Sequence, residues 1–123
     1  YMKYYAEVVS LNPNVEEEVT ISLGDITLTC FICNLNNPIK LNEIYLVELE
    51  LEIFDEVRAK LATDILPKQI GDSFAYELNG YLLENKIIIS NIILQDDLLY
   101  EISFYENKYV CIYIDRINIS FFN

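Results

Sequence analysis

Residues 45–54 read Tyr-Leu-Val-Glu-Leu-Glu-Leu-Glu-Ile-Phe, and their alternation governs how the rest of the chain is read. Tyr45, Val47, Leu49, Leu51 and Ile53 fall on one side of an extended strand and Glu48, Glu50 and Glu52 on the other, because successive strand side chains point to opposite faces. The apolar side requires a core, the acidic side water. Carboxylates two residues apart on a strand sit roughly 6.5–7 Å from each other, so three in a row repel unless water, salt or a cationic partner offsets them.

Outward from that strand the chain keeps the same habit. Residues 4–11 alternate and end at Asn12-Pro13-Asn14, where Pro fixes φ and Asn tolerates left-handed geometry. Glu16, Glu17 and Glu18 lead into an apolar run at 19–23, and Gly24-Asp25 turns it into 26–33, a hairpin pattern. Asn34-Leu35-Asn36-Asn37-Pro38 then breaks the sheet ahead of the acidic strand.

Beyond Phe54 the period changes. Val57, Leu61 and Ile65 recur every four residues, with Asp55 as a cap and Pro67 as a stop, so a short helix is expected over 55–66, with an irregular loop as the alternative. Strands resume at Phe74, Tyr76 and Leu78, with Gly80 as a bulge or a point of close backbone approach. Glu84-Asn85-Lys86 turns the chain into 87–94, a nearly continuous apolar run that reads as a strand covered on both faces or running across a barrel. Asp96-Asp97 punctuates it, 98–105 alternates as another strand, Glu106-Asn107-Lys108 turns, and 109–122 is a long final strand interrupted at Asp115-Arg116.

About eight short strands with one helix between them point to an all-β or β-rich fold. The expected architecture is a small OB-like antiparallel barrel, closed or partly open, because closure removes exposed strand edges; a β-sandwich is the runner-up. Ten Tyr, six Phe and only three Gly and three Pro agree with strands over helices. The 123 residues, 53% hydrophobic, suit one domain spanning 1–123.

Charge narrows the partners. Eight basic against twenty acidic residues leave a net charge of −12, a field that repels nucleic acid and anionic membrane and favours cationic proteins. The field is concentrated early: residues 1–56 hold two basic and eleven acidic side chains. The opening YMKYY is not a basic segment followed by an apolar run, and no uncharged stretch approaches the roughly 20 residues of a membrane helix. Three cysteines, an odd number, fit reduced thiols, and the chain is expected to be cytoplasmic.

Chemistry-bearing motifs are sparse. Histidine is absent, which removes the commonest general base and neutral metal ligand and excludes Ser-His and Cys-His nucleophiles. Phosphate-loop, dinucleotide and G-x-S-x-G patterns are missing too. Cys30 and Cys33 form a C-x-x-C, but three residues apart on a strand their sulfurs diverge, and core packing is the expected role. Neither Glu16-Glu17-Glu18 nor Asp96-Asp97 follows a calcium-loop pattern. The expectation is a non-enzymatic protein with no catalytic residues, cofactor or bound metal. Its candidate binding residues are Glu48, Glu50 and Glu52, with Asp55, Glu56, Glu16, Glu17 and Glu18, which together would present a phosphate-like row of negative charge to a basic protein. The bland reading of the same residues is solubility and edge protection.

Small size, strong acidity, the lack of histidine and the pattern IYLVELELEIFD at 44–55 followed by YVCIYIDRINISF at 109–121 resemble the immunity proteins that bacteria pair with polymorphic or contact-dependent toxins. The chain is similar in the same respects to phage-encoded inhibitors that mimic nucleic acid. The immunity resemblance implies tight binding to a cognate toxin, often a basic nuclease, by blocking its active site or substrate groove. It carries no individual residue over.

Overall fold

The structure, a computed structural model, describes residues 2–123. Among the described residues eleven strands form two sheets. The first is a closed barrel of β1 (Lys3–Leu11), β2 (Glu18–Ser22), β3 (Thr27–Asn34), β4 (Ile44–Glu52) and β11 (Arg116–Phe121), in the order β1-β2-β3-β11-β4 and back to β1. This is the OB-like barrel that the alternation pointed to, with one difference: β3 and β11 run parallel, whereas every other barrel pair is antiparallel. Closure depends on bending. One half of β1 pairs with β4, from Lys3 to Glu7, and the other with β2, from Glu7 to Leu11, with an irregularity between Val8 and Ser10. Irregularities of this kind sharpen twist and let one strand serve two neighbours.

The second sheet lies between β4 and β11 in sequence. It comprises β5 (Ala59–Leu61), β6 (Lys68–Gln69), β7 (Tyr76–Leu83), β8 (Lys86–Ile89), β9 (Ile92–Gln95) and β10 (Tyr109–Ile114), ordered β5-β10-β7-β8-β9 with β6 also on β7. One apolar cluster draws on both sheets: Val8, Ile21, Leu28, Val47, Leu49 and Phe121 come from the barrel, and Leu78, Leu82, Ile87, Leu94 and Ile112 from the second sheet. Asp115 alone separates β10 from β11. Its N–H donates to the Glu52 carbonyl at 2.9 Å, and its carboxylate accepts the Phe54 N–H at 2.7 Å, which ties the crossover to the end of β4.

Several turns take the form their residues dictate. The Asn12 side chain accepts the Asn14 N–H at 2.9 Å, and Gly24, at φ +92°, makes the β2–β3 turn. Gly80 is a close approach: a Cβ there would lie 2.7 Å from the Ile88 carbonyl oxygen and from Ile87 Cγ1.

Three expectations are corrected. The 55–66 segment holds no helix; β5 forms there instead, because Ala59 to Leu61 pair with Val110 to Ile112 of β10. The alternating 98–105 run is a 3₁₀ helix, Asp97–Tyr105, kinked at Ile102 and capped by the Asp96 carboxylate on the Leu98 N–H. Its buried residues Leu99 and Ile102 are three apart, the spacing of a three-residue turn. The 87–94 run is a hairpin: β8 and β9 pair Ile89 with Ile92 around Ser90, at φ 52°. No helix among the described residues is long and apolar enough to cross a membrane.

Candidate functional site: the acidic outer face of the barrel

On β4, Val47, Leu49 and Leu51 are buried, and Glu48, Glu50 and Glu52 point out of the barrel, with Glu50 exposed and its neighbours half-buried. The strand lies between β1 and β11, so register names what surrounds each carboxylate. Glu48 faces Lys3 on one side and Ser120 on the other, Glu50 faces Asn118, and Glu52 faces Arg116.

Both cations opposite the ladder are drawn onto aromatic rings. The Lys3 ammonium lies 4.4 Å from the centre of the Phe122 ring, and the Arg116 guanidinium lies 4.0 Å from that of Phe31 and 5.5 Å from that of Phe54. Ring faces carry negative charge, so such contacts are favourable. Among the described residues no ion pair joins the ladder to a Lys or Arg; the one ion pair is Lys86–Glu84 at 3.7 Å, on the second sheet. Lys3 and Arg116 therefore offset part of the ladder's field at a distance while leaving its carboxylate oxygens open. The exception is Glu52, whose Oε2 accepts the Asn118 amide at 3.0 Å. Asn118 is only 8% exposed, and its Oδ1 has no partner.

The other sequence-predicted residues are only partly gathered here. Glu18 sits on the outer face of β2, and the pairings Glu18–Phe31, Phe31–Asn118 and Asn118–Glu50 put it level with Glu50 around the barrel. Three strand spacings, about 14 Å, separate the two. Glu18 is partly engaged by the Asn12 amide at 3.3 Å. Glu16 and Glu17 are exposed in the segment before β2, and Asp55 and Glu56 are exposed just past β4. The result is a band in which Phe31, Arg116 and Asn118 lie between carboxylates, not an unbroken acidic row.

Sequence reading missed Arg116, Asn118 and Phe31 as members of this face. Arg116, Asn118 and Ser120 alternate with the buried Ile117, Ile119 and Phe121, so their outward direction was legible by the same rule that placed the glutamates. Their position between β3 and β4 was not, because it depends on the parallel pairing.

The thiols divide by face. Cys30 is fully buried inside the barrel, and burial pushes its thiol pKa well up. Cys33 is exposed on the outer face, so the two sulfurs do diverge. Partial burial raises the Cys33 pKa, the Arg116 charge lowers it, and Glu50 and Glu52 raise it further. Among the described residues no three Cys, Asp or Glu side chains are placed to hold a metal ion.

An OB-like barrel with an acidic, partly aromatic outer face and a second sheet inserted before its last strand is the architecture this family adopts here. The chain belongs to the family described as Uncharacterised conserved protein UCP019853, whose profile matches residues 2–122. No curated protein and no solved structure matches the chain.

Proposed function

We propose that the chain is a non-enzymatic binding protein that takes a basic protein onto the outer face of its barrel. Glu48, Glu50 and Glu52 form the centre of the contact, and Glu18, Asp55 and Glu56 its flanks. The observation that carries this reading is the outward ladder with no ion pair to a Lys or Arg among the described residues. An incoming Lys or Arg would meet glutamates whose backbone is already held by a strand hydrogen-bonded on both sides, which lowers the backbone part of the ordering cost of binding. The net charge of −12 adds long-range steering. Neutralisation of a cognate toxin in the cytoplasm is the instance that the resemblance to immunity proteins implies.

The test is capture of partners from the source organism, followed by affinity measurement with a Glu48→Gln, Glu50→Gln, Glu52→Gln triple variant. Glutamine at 52 keeps an acceptor for Asn118. The expected result is an unchanged fold, an affinity lower by at least tenfold and a flatter salt dependence. An unchanged affinity for the captured partner rejects this surface.

A second reading has its own observation. Ile65 is 75% exposed and Tyr109 61% exposed, with Leu61 and Leu66 also open, which gives the second sheet an apolar rim. On that reading the chain is an assembly module and its acidity only confers solubility. Association that survives the triple variant and is lost on Ile65→Ser with Tyr109→Ser would favour it.

A further inference from the structure

The second sheet carries the opposite charge pattern on its own outer face. Three of the chain's eight basic residues, Arg58, Lys60 and Lys68, converge there on two rows. One row runs from Arg58, whose carbonyl accepts the Tyr113 N–H at 3.1 Å, to Tyr113, to Glu77 on β7 and to Lys68 on β6. The next pairs Lys60 with Cys111, and Cys111 with Asn79. The side chains at these positions point away from Leu78, Ile112 and Ile114, which fill the core.

A concavity of about 240 Å³ opens between them, lined by Arg58, Lys60, Glu77, Cys111 and Tyr113. The Arg58 guanidinium is held 4.1 Å from the Tyr113 ring centre, which fixes one cationic wall. The anion within the cluster, Glu77, accepts a hydrogen bond from the Cys111 thiol at 3.3 Å and forms no ion pair with either lysine. Within these two rows three cations face one carboxylate, and Asp55 and Glu56 also adjoin Arg58. The rows lie on a chain whose overall sign is strongly negative, so their excess of cations is not a by-product of composition.

We infer that this concavity is a binding site for a small anion of the phosphate or phosphate-monoester class, held between Arg58 and Lys60, with Lys68 beside it as the strand neighbour of Glu77. The cations lining the concavity favour an anion. A guanidinium fixed on a ring and two mobile ammonium groups are the donor types that phosphate oxygens accept. The volume, below the usual range for drug-sized ligands, limits the occupant to a small molecule. The strands lining the site belong to a different sheet from β4, although Arg58 adjoins Asp55 and Glu56 at the flank of the proposed protein-binding face, and the inference does not depend on that reading.

The experiment is a titration followed by backbone amide resonances, with inorganic phosphate and phenyl phosphate as probes at about pH 8, where both are dianions, and acetate as a monoanion. Expected are saturable shifts at Lys60, Glu77, Cys111 and Tyr113 with both phosphates, and weak, unsaturable ones with acetate. Lys60→Gln and Lys68→Gln should each weaken phosphate binding about tenfold. Lys108→Gln, the same charge change outside the site, should leave it unchanged. All three positions are exposed, so the variants are expected to keep the fold. Equal response to acetate, shifts spread over all lysines, or binding retained when Arg58, Lys60 and Lys68 are all glutamine would overturn the inference.

Discussion

The hydroxyl of Tyr4 accepts the Ile93 N–H at 2.7 Å and lies 3.3 Å from the Ile93 carbonyl oxygen as its donor. Tyr4 is on the barrel and Ile93 on β9, the outermost strand of the second sheet, so one side chain both caps a strand edge and joins the two sheets. Tyr4→Phe keeps the ring and removes these bonds, leaving a half-buried N–H without its partner. The expected cost is about 1–2 kcal/mol in urea unfolding, with faster amide exchange at Ile93 than at its hairpin neighbours.

Gly80 has a different constraint. The obstacle to a Cβ includes the Ile88 backbone carbonyl, which cannot swing aside as the tip of a side chain can. Gly80→Ala should destabilise by about 1–3 kcal/mol, the opposite sign to the usual gain from replacing a flexible glycine. Equilibrium denaturation decides the sign.

Cys33 senses the acidic face. Arg116 lowers its pKa, whereas Glu50 and Glu52 raise it, so Glu50→Gln with Glu52→Gln should speed its alkylation near pH 8 and Arg116→Gln should slow it. In the native protein Cys33 is the exposed thiol and Cys30 and Cys111 are buried. Mass spectrometry should find one label in buffer and three in denaturant. A cationic partner seated on the ladder should block that label.

Alkaline pH should weaken the fold through Cys30 and Cys111. Burial raises the Cys30 pKa; burial together with the Glu77 contact raises that of Cys111 to about 11 from an ordinary value of 9.0. Above pH 9.0 the unfolded chain loses these protons and the folded chain keeps them, so the unfolded state binds fewer protons and stability falls as pH rises. The contribution is fully present below pH 9.0. Cys30→Ala should flatten the decline between pH 9 and 11 in denaturation series.

The legible parts of the sequence were those governed by neighbours along the chain. Strand alternation placed Glu48, Glu50 and Glu52 outward, separated the faces of Cys30 and Cys33, and marked Gly80 as a tight spot, because each depends on local geometry. The illegible parts were set by contacts far away in sequence. Val57, Leu61 and Ile65 carry a helical spacing, yet β10 supplies a strand edge that claims Ala59 to Leu61. Leu98 to Tyr105 alternate like a strand, but the Asp96 cap and the burial of Leu99 and Ile102 select a tight helix. At the acidic face, the direction of the glutamates was readable and the identity of their neighbours was not. Phe31 and Asn118 meet only through the parallel β3–β11 pair, which joins residues 87 positions apart.

The single-residue link at Asp115 also has a temporal consequence. During synthesis the hairpins of the inserted sheet can zip up as they emerge from the ribosome, since each joins near neighbours. The barrel must stay unsealed between β3 and β4 until Arg116 to Phe121 arrive. A nascent chain stalled before that point would hold two unpaired β-edges open to whatever is nearby, so the final six-residue strand acts as the latch that ends the chain's exposure to misassembly.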